Sequence, residues 1–254
     1  MALYIYGLMR ADDVRGGLEL EQGGDVPPVE IRVSDDLAAI VGQAEGEPVR
    51  LQRQALLAHN EVLQQAFKRG PVLPLRFGTL AQDEQELERD LIAPRRAQWS
   101  SRLDALAGKG EFQLKVTYRE QPLMRSILRE DPALRRSADV VRGMPAAASH
   151  FQRISLGERI NATVEARRAA DAQALLAELE PLAVAVERGT PQQPMMALNA
   201  SFLVESELFG RFDKAVEQLA GQRAELMEFK LIGPMPAHSF ADRDLPAAAA
   251  SAKG

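Results

Sequence analysis

The stretch that most constrains this chain lies near its C-terminal end: Gly233-Pro234-Met235-Pro236-Ala237-His238-Ser239-Phe240. Each proline fixes φ, lacks an N–H and holds its predecessor extended, so no helix can form here and no strand ladder can continue. Just upstream, Met227, Phe229 and Leu231 alternate with Glu228 and Lys230, the period-two pattern of a half-buried strand. The ending reads as a stiff strap leaving a final strand, with Phe240 as its anchor. Such rigidity gains little in solvent. The strap is expected to pack on its own half of the protein, the alternative being that it, or the edge it defines, meets a partner.

Upstream, Leu3–Leu8, Val29–Val33 and Leu37–Val41 read as three strands, with Gly16-Gly17, Gly23-Gly24 and Pro27-Pro28 marking turns between the first two. A helix from about Pro48 to Lys68 places Leu56, His59, Leu63 and Phe67 on one face and stops at Gly70-Pro71. Val72–Phe77 is extended, and Pro74 removes a ladder donor, which predicts an edge or a bulge. A second helical stretch, Asp83–Ala107, should kink or split at Pro94. In the strand Glu111–Arg119, Phe112, Leu114, Val116 and Tyr118 face one way, and Gln113, Lys115, Thr117 and Arg119 the other.

These elements predict an α+β protein of two halves. Residues 1–120 form a ferredoxin-like variant. Residues 121–240 form a second α+β domain, opening with a helical connector over about 121–180, interrupted at Pro132, Gly143 and Pro145. A ββαβ unit follows: strands Leu182–Val186 and Met196–Val204, a helix Glu207–Ala220, and the final strand. Strand, helix and Gly-Pro strand occur in the same order at 37–77 and 196–240, a weak internal echo. Residues 241–254 have nothing to bury and are expected to be a disordered tail.

Composition narrows the function classes. With 46% hydrophobic residues, 254 positions can build one large or two small cores. A net charge of −5 argues against broad binding to nucleic acid or anionic lipid. The absence of cysteine excludes disulfides, thiolate metal sites and cysteine nucleophiles. No signal peptide is visible and no apolar run approaches the ~18 residues a membrane span needs, so the cytoplasm is the default location. Phosphate-binding loops, H-E-x-x-H, calcium loops and nucleophile elbows are all missing. His59, on its helix's apolar stripe, reads as a hydrogen-bonded core histidine in reach of the Arg76 strand. Asp83 and Glu84 read as complements to a helix N-terminus. No catalytic residue, cofactor site or metal site is expected.

Several segments together carry a family resemblance: Leu3-Tyr4-Ile5-Tyr6-Gly7, then His59, then Gly70-Pro71-Val72-Leu73-Pro74-Leu75-Arg76-Phe77-Gly78-Thr79, then Leu198-Asn199-Ala200-Ser201-Phe202-Leu203-Val204, then the Gly-Pro ending. In order and spacing, over about residues 1–240, the chain resembles the gas vesicle protein GvpF/GvpL family. That family's ending usually reads Gly-Pro-Trp-Pro-Pro-Tyr-Ser-Phe. Here Met235, Ala237 and His238 stand in place of the Trp, the second Pro and the Tyr. The resemblance implies a non-enzymatic, cofactor-free accessory protein of gas vesicle formation with a two-part α+β architecture. It would be cytoplasmic and vesicle-associated, and would bind the small hydrophobic shell protein and other accessory proteins. His59, Pro74, Arg76, Gly78, Asn199, Gly233, Pro234, Pro236 and Phe240 are then its structural or partner-contact positions. A small-ligand-binding regulatory module is the first alternative, and an enzyme whose site assembles only in the fold is the second.

Overall fold

A computed structural model of the chain describes residues 2–15, 17, 28–44, 53–145 and 149–242. Gly16, Gly23, Gly24, Pro27, Pro48 and the segment 243–254 lie outside the described residues. The first sheet is built on β1 (Leu3–Arg10). It pairs antiparallel with β3 (Leu37–Gln43) on one side and with the short β4 (Leu73–Pro74) and β5 (Leu80–Ala81) on the other. β2 (Val29–Ser34) pairs with β3 to complete the order β2-β3-β1-β4. Pro74 thus sits in an edge strand, where its missing N–H costs nothing.

β1 and β3 are buried almost throughout, because helices cover both faces of this sheet. On one face, Tyr4, Tyr6, Met9, Ala38 and Ile40 pack with Val62, Leu63 and Ala66 of α1 (Arg53–Phe67). Strict alternation would send Met9 to the other face. A register shift between Ile5 and Gly7 restores it to this one. The α1 stripe begins later than its periodicity suggests: His59 is buried, whereas Leu56 is 39% exposed. On the opposite face, α3 (Arg96–Leu106) supplies buried Trp99, Leu103 and Leu106. The expected split at Pro94 is present. A single turn, α2 (Glu84–Glu86), capped by Asp83, passes through a π-helical stretch Leu87–Ile92 and a 3-10 turn Ala93–Arg95 into α3.

The second sheet contains β6 (Lys109–Tyr118), β7 (Ala185–Arg188), β8 (Met196–Glu205) and β9 (Met227–Met235), antiparallel in the order β7-β8-β6-β9. Between β6 and β7 run α4 (Glu120–Glu130), α5 (Pro132–Gly143) and α6 (His150–Leu179). Between β8 and β9 runs α7 (Phe209–Gln222). This is the βαββαβ connectivity of a ferredoxin-like fold with three helices in its first crossover. The stretch 121–180 supplies these three helices. It buries Leu123, Ile127, Leu134, Val164, Leu175, Leu176 and Leu179, as a structural layer must. A 3-10 turn at Glu180–Leu182 delays the next strand to Ala185. Counted within each sheet, both show the same strand order: second, third, first, fourth. The echo between 37–77 and 196–240 corresponds to the third strand, helix and fourth strand of each.

Two compact units result. One comprises Met1–Phe112, Leu203–Glu207 and Gly233–Gly254, the other Gln113–Phe202 and Leu208–Ile232. Grouped in this way, β6 divides at Phe112, eight residues before the boundary read from sequence, and the strap falls with the N-terminal residues. The physical reason for the strap's grouping is the set of strap contacts described below. Ala241, placed in the tail by sequence, is buried.

Gly7 marks the tightest point of the first sheet. A Cβ there would lie 2.9 Å from the Leu63 side chain and 2.9 Å from the Leu73 carbonyl. Gly7→Val is expected to cost about 1–3 kcal/mol by overpacking, measured as a lower urea midpoint at unchanged slope.

Candidate functional site

His59 projects from α1 into a cluster of rings. Its centroid lies 5.7 Å from Tyr4, 5.4 Å from Tyr6 and 5.6 Å from Phe77. The Tyr4 hydroxyl is 2.8 Å from His59 Nδ1, and it accepts the Gly78 N–H at 3.2 Å. The ring also makes a backbone hydrogen bond to Leu75. A neutral imidazole has one N–H, and with that proton donated to the Leu75 backbone from the other ring nitrogen, Nδ1 accepts from the Tyr4 hydroxyl. Burial pushes the His59 pKa down to about 4, and the neighbouring His238 acts in the same direction. The Gly78 N–H reaches Tyr4 from a turn in which the Thr79 N–H and hydroxyl both donate to the Arg76 carbonyl, at 3.1 and 2.7 Å. Gly78 itself takes φ +87°, a conformation that favours glycine.

The strap closes around the same unit. Gly233 has φ +145° and a cis bond to Pro234. A Cβ at Gly233 would lie 2.7 Å from the Glu111 carbonyl and 2.8 Å from the Phe112 ring, so only glycine passes. Gln64 of α1 donates to the Pro234 carbonyl at 3.0 Å. Beyond buried Pro236 and Ala237, Ser239 grips the Glu111 carboxylate twice, by its N–H at 2.8 Å and its hydroxyl at 2.6 Å. Glu111 is only 1% exposed and Phe240 is buried beside the clasp in sequence. At the end of the strap, Arg102 donates to the Asp242 carbonyl at 3.2 Å and pairs with its carboxylate at 3.5 Å, while the Arg76 guanidinium stands 3.7 Å from the same carboxylate.

The structure thus gathers His59, Pro74, Arg76, Gly78, Gly233, Pro234, Pro236 and Phe240 into one unit. Asn199 belongs to the other. There its side chain donates to the Thr190 carbonyl at 3.3 Å and leaves no room for a Cβ at Gly189, clasping the β7–β8 turn. Glu111 went unrecognised in the sequence. Its phase with Gln113 suggested a solvent-facing side chain, and its partner lies 128 residues away. Among the described residues no cluster of His, Asp and Glu could hold a metal ion, and no helix is long and apolar enough to cross a membrane.

The family model for gas vesicle synthesis protein GvpL/GvpF matches residues 2–242, a span that runs from the first strand to the end of the strap. The chain belongs to the GvpL/GvpF family. It is 32% identical to gas vesicle protein F of Streptomyces sp. (strain CB03234) over 243 residues, covering 95% of this chain and 100% of that one. It is 28% identical to gas vesicle protein F of Dolichospermum flosaquae, covering 95% and 98%. The crystal structure of GvpF from Anabaena sp. PCC7120 superposes with a TM-score of 0.81 at 25% identity, covering 96% and 99%. That of GvpF from Microcystis aeruginosa gives 0.77 at 26%, covering 95% and 99%. GvpL/GvpF proteins are gas vesicle accessory proteins, and membership supports a role for this chain in gas vesicle formation. At the positions where this ending departs from the family's usual one, Met235 is half-buried, Ala237 is buried and His238 is exposed.

Two predictions follow from this geometry. His59 is held neutral in the folded chain, with a pKa near 4, while in the unfolded chain it titrates at its ordinary 6.5. The unfolded state therefore binds more protons between these values, and stability should fall as pH drops from about 6.5 to 4. In a His238→Gln background, His59→Phe should flatten that interval in urea titrations, and an unchanged slope would refute the assignment. Ser239→Ala removes one hydroxyl from a buried carboxylate and is expected to lower stability by roughly 1–3 kcal/mol, with proteolysis beginning at the strap.

Proposed function

We propose that the protein is a non-enzymatic accessory factor that binds the small hydrophobic shell protein, together with other accessory proteins, during gas vesicle assembly in the cytoplasm and at the vesicle. The observation that carries this reading is the family match over residues 2–242. It is supported by a geometry in which the motif side chains bond to one another. His59 is engaged by Tyr4 and Leu75, and Glu111 by Ser239. Residues arranged this way stiffen a surface for a partner.

Exposed apolar side chains stand on the elements that carry that cluster: Leu57 on α1, which bears His59, and Leu80 of β5, which is paired with Tyr4. A shell protein with apolar surface to cover before assembly would find matching surface here. The β4 edge offers less. It is two residues long, Pro74 has no N–H, and the Leu75 N–H is taken by the Tyr6 carbonyl.

Deleting the gene should abolish gas vesicles under the microscope. In co-precipitation, a Leu57→Asp/Leu80→Asp chain should retain at least about tenfold less shell protein at an unchanged melting temperature, since both side chains are exposed. Normal vesicles in a deletion strain without a second family member would overturn the reading.

A further inference from the structure

Among the described residues, β2 is the outermost strand of the first sheet and pairs with β3 alone. The direction of its backbone groups follows from its neighbour. The Ala44 N–H donates to the Ala2 carbonyl, and the Asp36 carbonyl accepts the Ala11 N–H. Along β3 the even-numbered residues therefore bond toward β1 and the odd-numbered ones toward β2. Leu37, Ala39 and Val41 lie opposite Ser34, Arg32 and Glu30. Those three residues of β2 bond inward, and the N–H and C=O groups of Val29, Ile31 and Val33 point outward along the edge. Among the described residues these outward groups have no backbone partner, and the Ile31 carbonyl is met by the adjacent Arg32 guanidinium at 3.5 Å. Unpaired edges of this kind are templates for another strand unless they are blunted. From Val29 to Ser34 there is no proline, no lysine and no register shift to blunt this one.

The side chains of β2 alternate between two faces. Val29 and Ile31 pack against the cluster that α1 covers, and Val33, in phase with them, is 62% exposed. Glu30 and Arg32 share the other face, where Arg32 stands between the carboxylates of Glu30 and Glu84. One guanidinium thus serves two carboxylates.

The segment Val29-Glu30-Ile31-Arg32-Val33 is complementary to itself when run antiparallel. Hydrogen bonding confines a second copy of this edge to registers that set outward-bonding residues opposite one another. Centred on Glu30, such a register opposes two glutamates. Centred on Arg32, it opposes two arginines. Centred on Ile31, it sets Glu30 opposite Arg32 of the second copy, and by symmetry Arg32 opposite Glu30. Ile31 then faces its own copy and Val33 faces Val29. The apolar pairs exchange both N–H···O=C bonds, unlike charges face each other, and the exposed valine is covered. Each Glu30 gains a second guanidinium.

We propose that β2 is a self-association edge, at which two copies of this chain pair antiparallel about Ile31, with Glu30 of each against Arg32 of the other. The inference goes beyond the shell-protein reading, which concerns Leu57 and Leu80, and does not rest on it.

The test is light scattering and sedimentation of the full chain over a range of concentrations. The unaltered chain should dimerise, and added salt should weaken the dimer. Glu30→Arg alone and Arg32→Glu alone should each weaken it at least about tenfold, because like charges then face each other. Mixed in equal amounts, the two variants should associate again, since each supplies the charge the other lacks. The chain has no native cysteine, so Glu30→Cys and Arg32→Cys report the register. These positions face each other as a non-hydrogen-bonded pair about 4.5 Å apart, which a disulfide can span. Under mild oxidation, a mixture of the two cysteine variants should cross-link faster than either alone. A chain that stays monomeric up to about 0.5 mM would overturn the proposal. So would charge variants that associate as before, folded charge variants whose mixture does not recover the dimer, or cysteine variants that cross-link equally well alone. Melting temperatures establish that each variant is folded. Shell-protein retention by the charge variants is measured separately, so either reading can fail while the other stands.

Discussion

A carboxylate that water does not reach must be held by donors from the protein itself. Glu111, at 1% exposure, is in that position, and Ser239 supplies both an N–H and a hydroxyl. The course of the strap follows from this one clasp. To bring Ser239 to Glu111, the chain must first pass so close to residues 111 and 112 that Gly233 can carry no side chain. Gln64 then fixes the Pro234 carbonyl, Pro236 and Ala237 go under, and Phe240 is buried just past the clasp. The last described residue, Asp242, is met by Arg102 and Arg76. The closing segment is thereby made part of the unit that the first strands build.

The His59 cluster works on the same principle with a neutral group. The ring is buried, and its electrostatic environment keeps it uncharged down to a pKa of about 4, so it can serve as a fixed acceptor and donor between Tyr4 and Leu75. Tyr4 in turn receives the Gly78 N–H, which ties the turn after β4 to β1. A histidine, a tyrosine and a turn glycine therefore set the position of a two-residue edge strand that its own ladder holds only weakly. Side chains separated by more than fifty residues in sequence become one hydrogen-bonded chain.

Both sheets use the same strand order, and in both a helix joins the third strand to the fourth. They differ in their first crossover. In the second sheet it holds α4, α5 and α6, and the N-terminal half of α6 is mostly exposed, with Leu156, Ile160 and Thr163 half-buried. That half carries Phe151 and Ile154, both exposed. The same helix is buried at Leu175, Leu176 and Leu179, so one element is core at one end and open surface at the other.

Local pattern determined much of this by itself. Period-two alternation located β2, β6, β8 and β9, helical periodicity located α1, α3 and α7, and Pro94 announced the break before α3. The motif order pointed to the GvpL/GvpF family, and Pro74 to an edge. These features depend on neighbours a few residues apart, which a sequence displays directly. What only the tertiary structure decided depends on partners far apart in the chain. Alternation set Glu111 in phase with solvent-facing Gln113, because the strap that covers it arrives 128 residues later. Helical periodicity showed the helices of 121–180 but not the strands they join, because an apolar stripe does not name the surface it packs on. The Gly-Pro ending showed a stiff strap. Which unit it closes on was settled by a buried carboxylate that only one place in the fold provides.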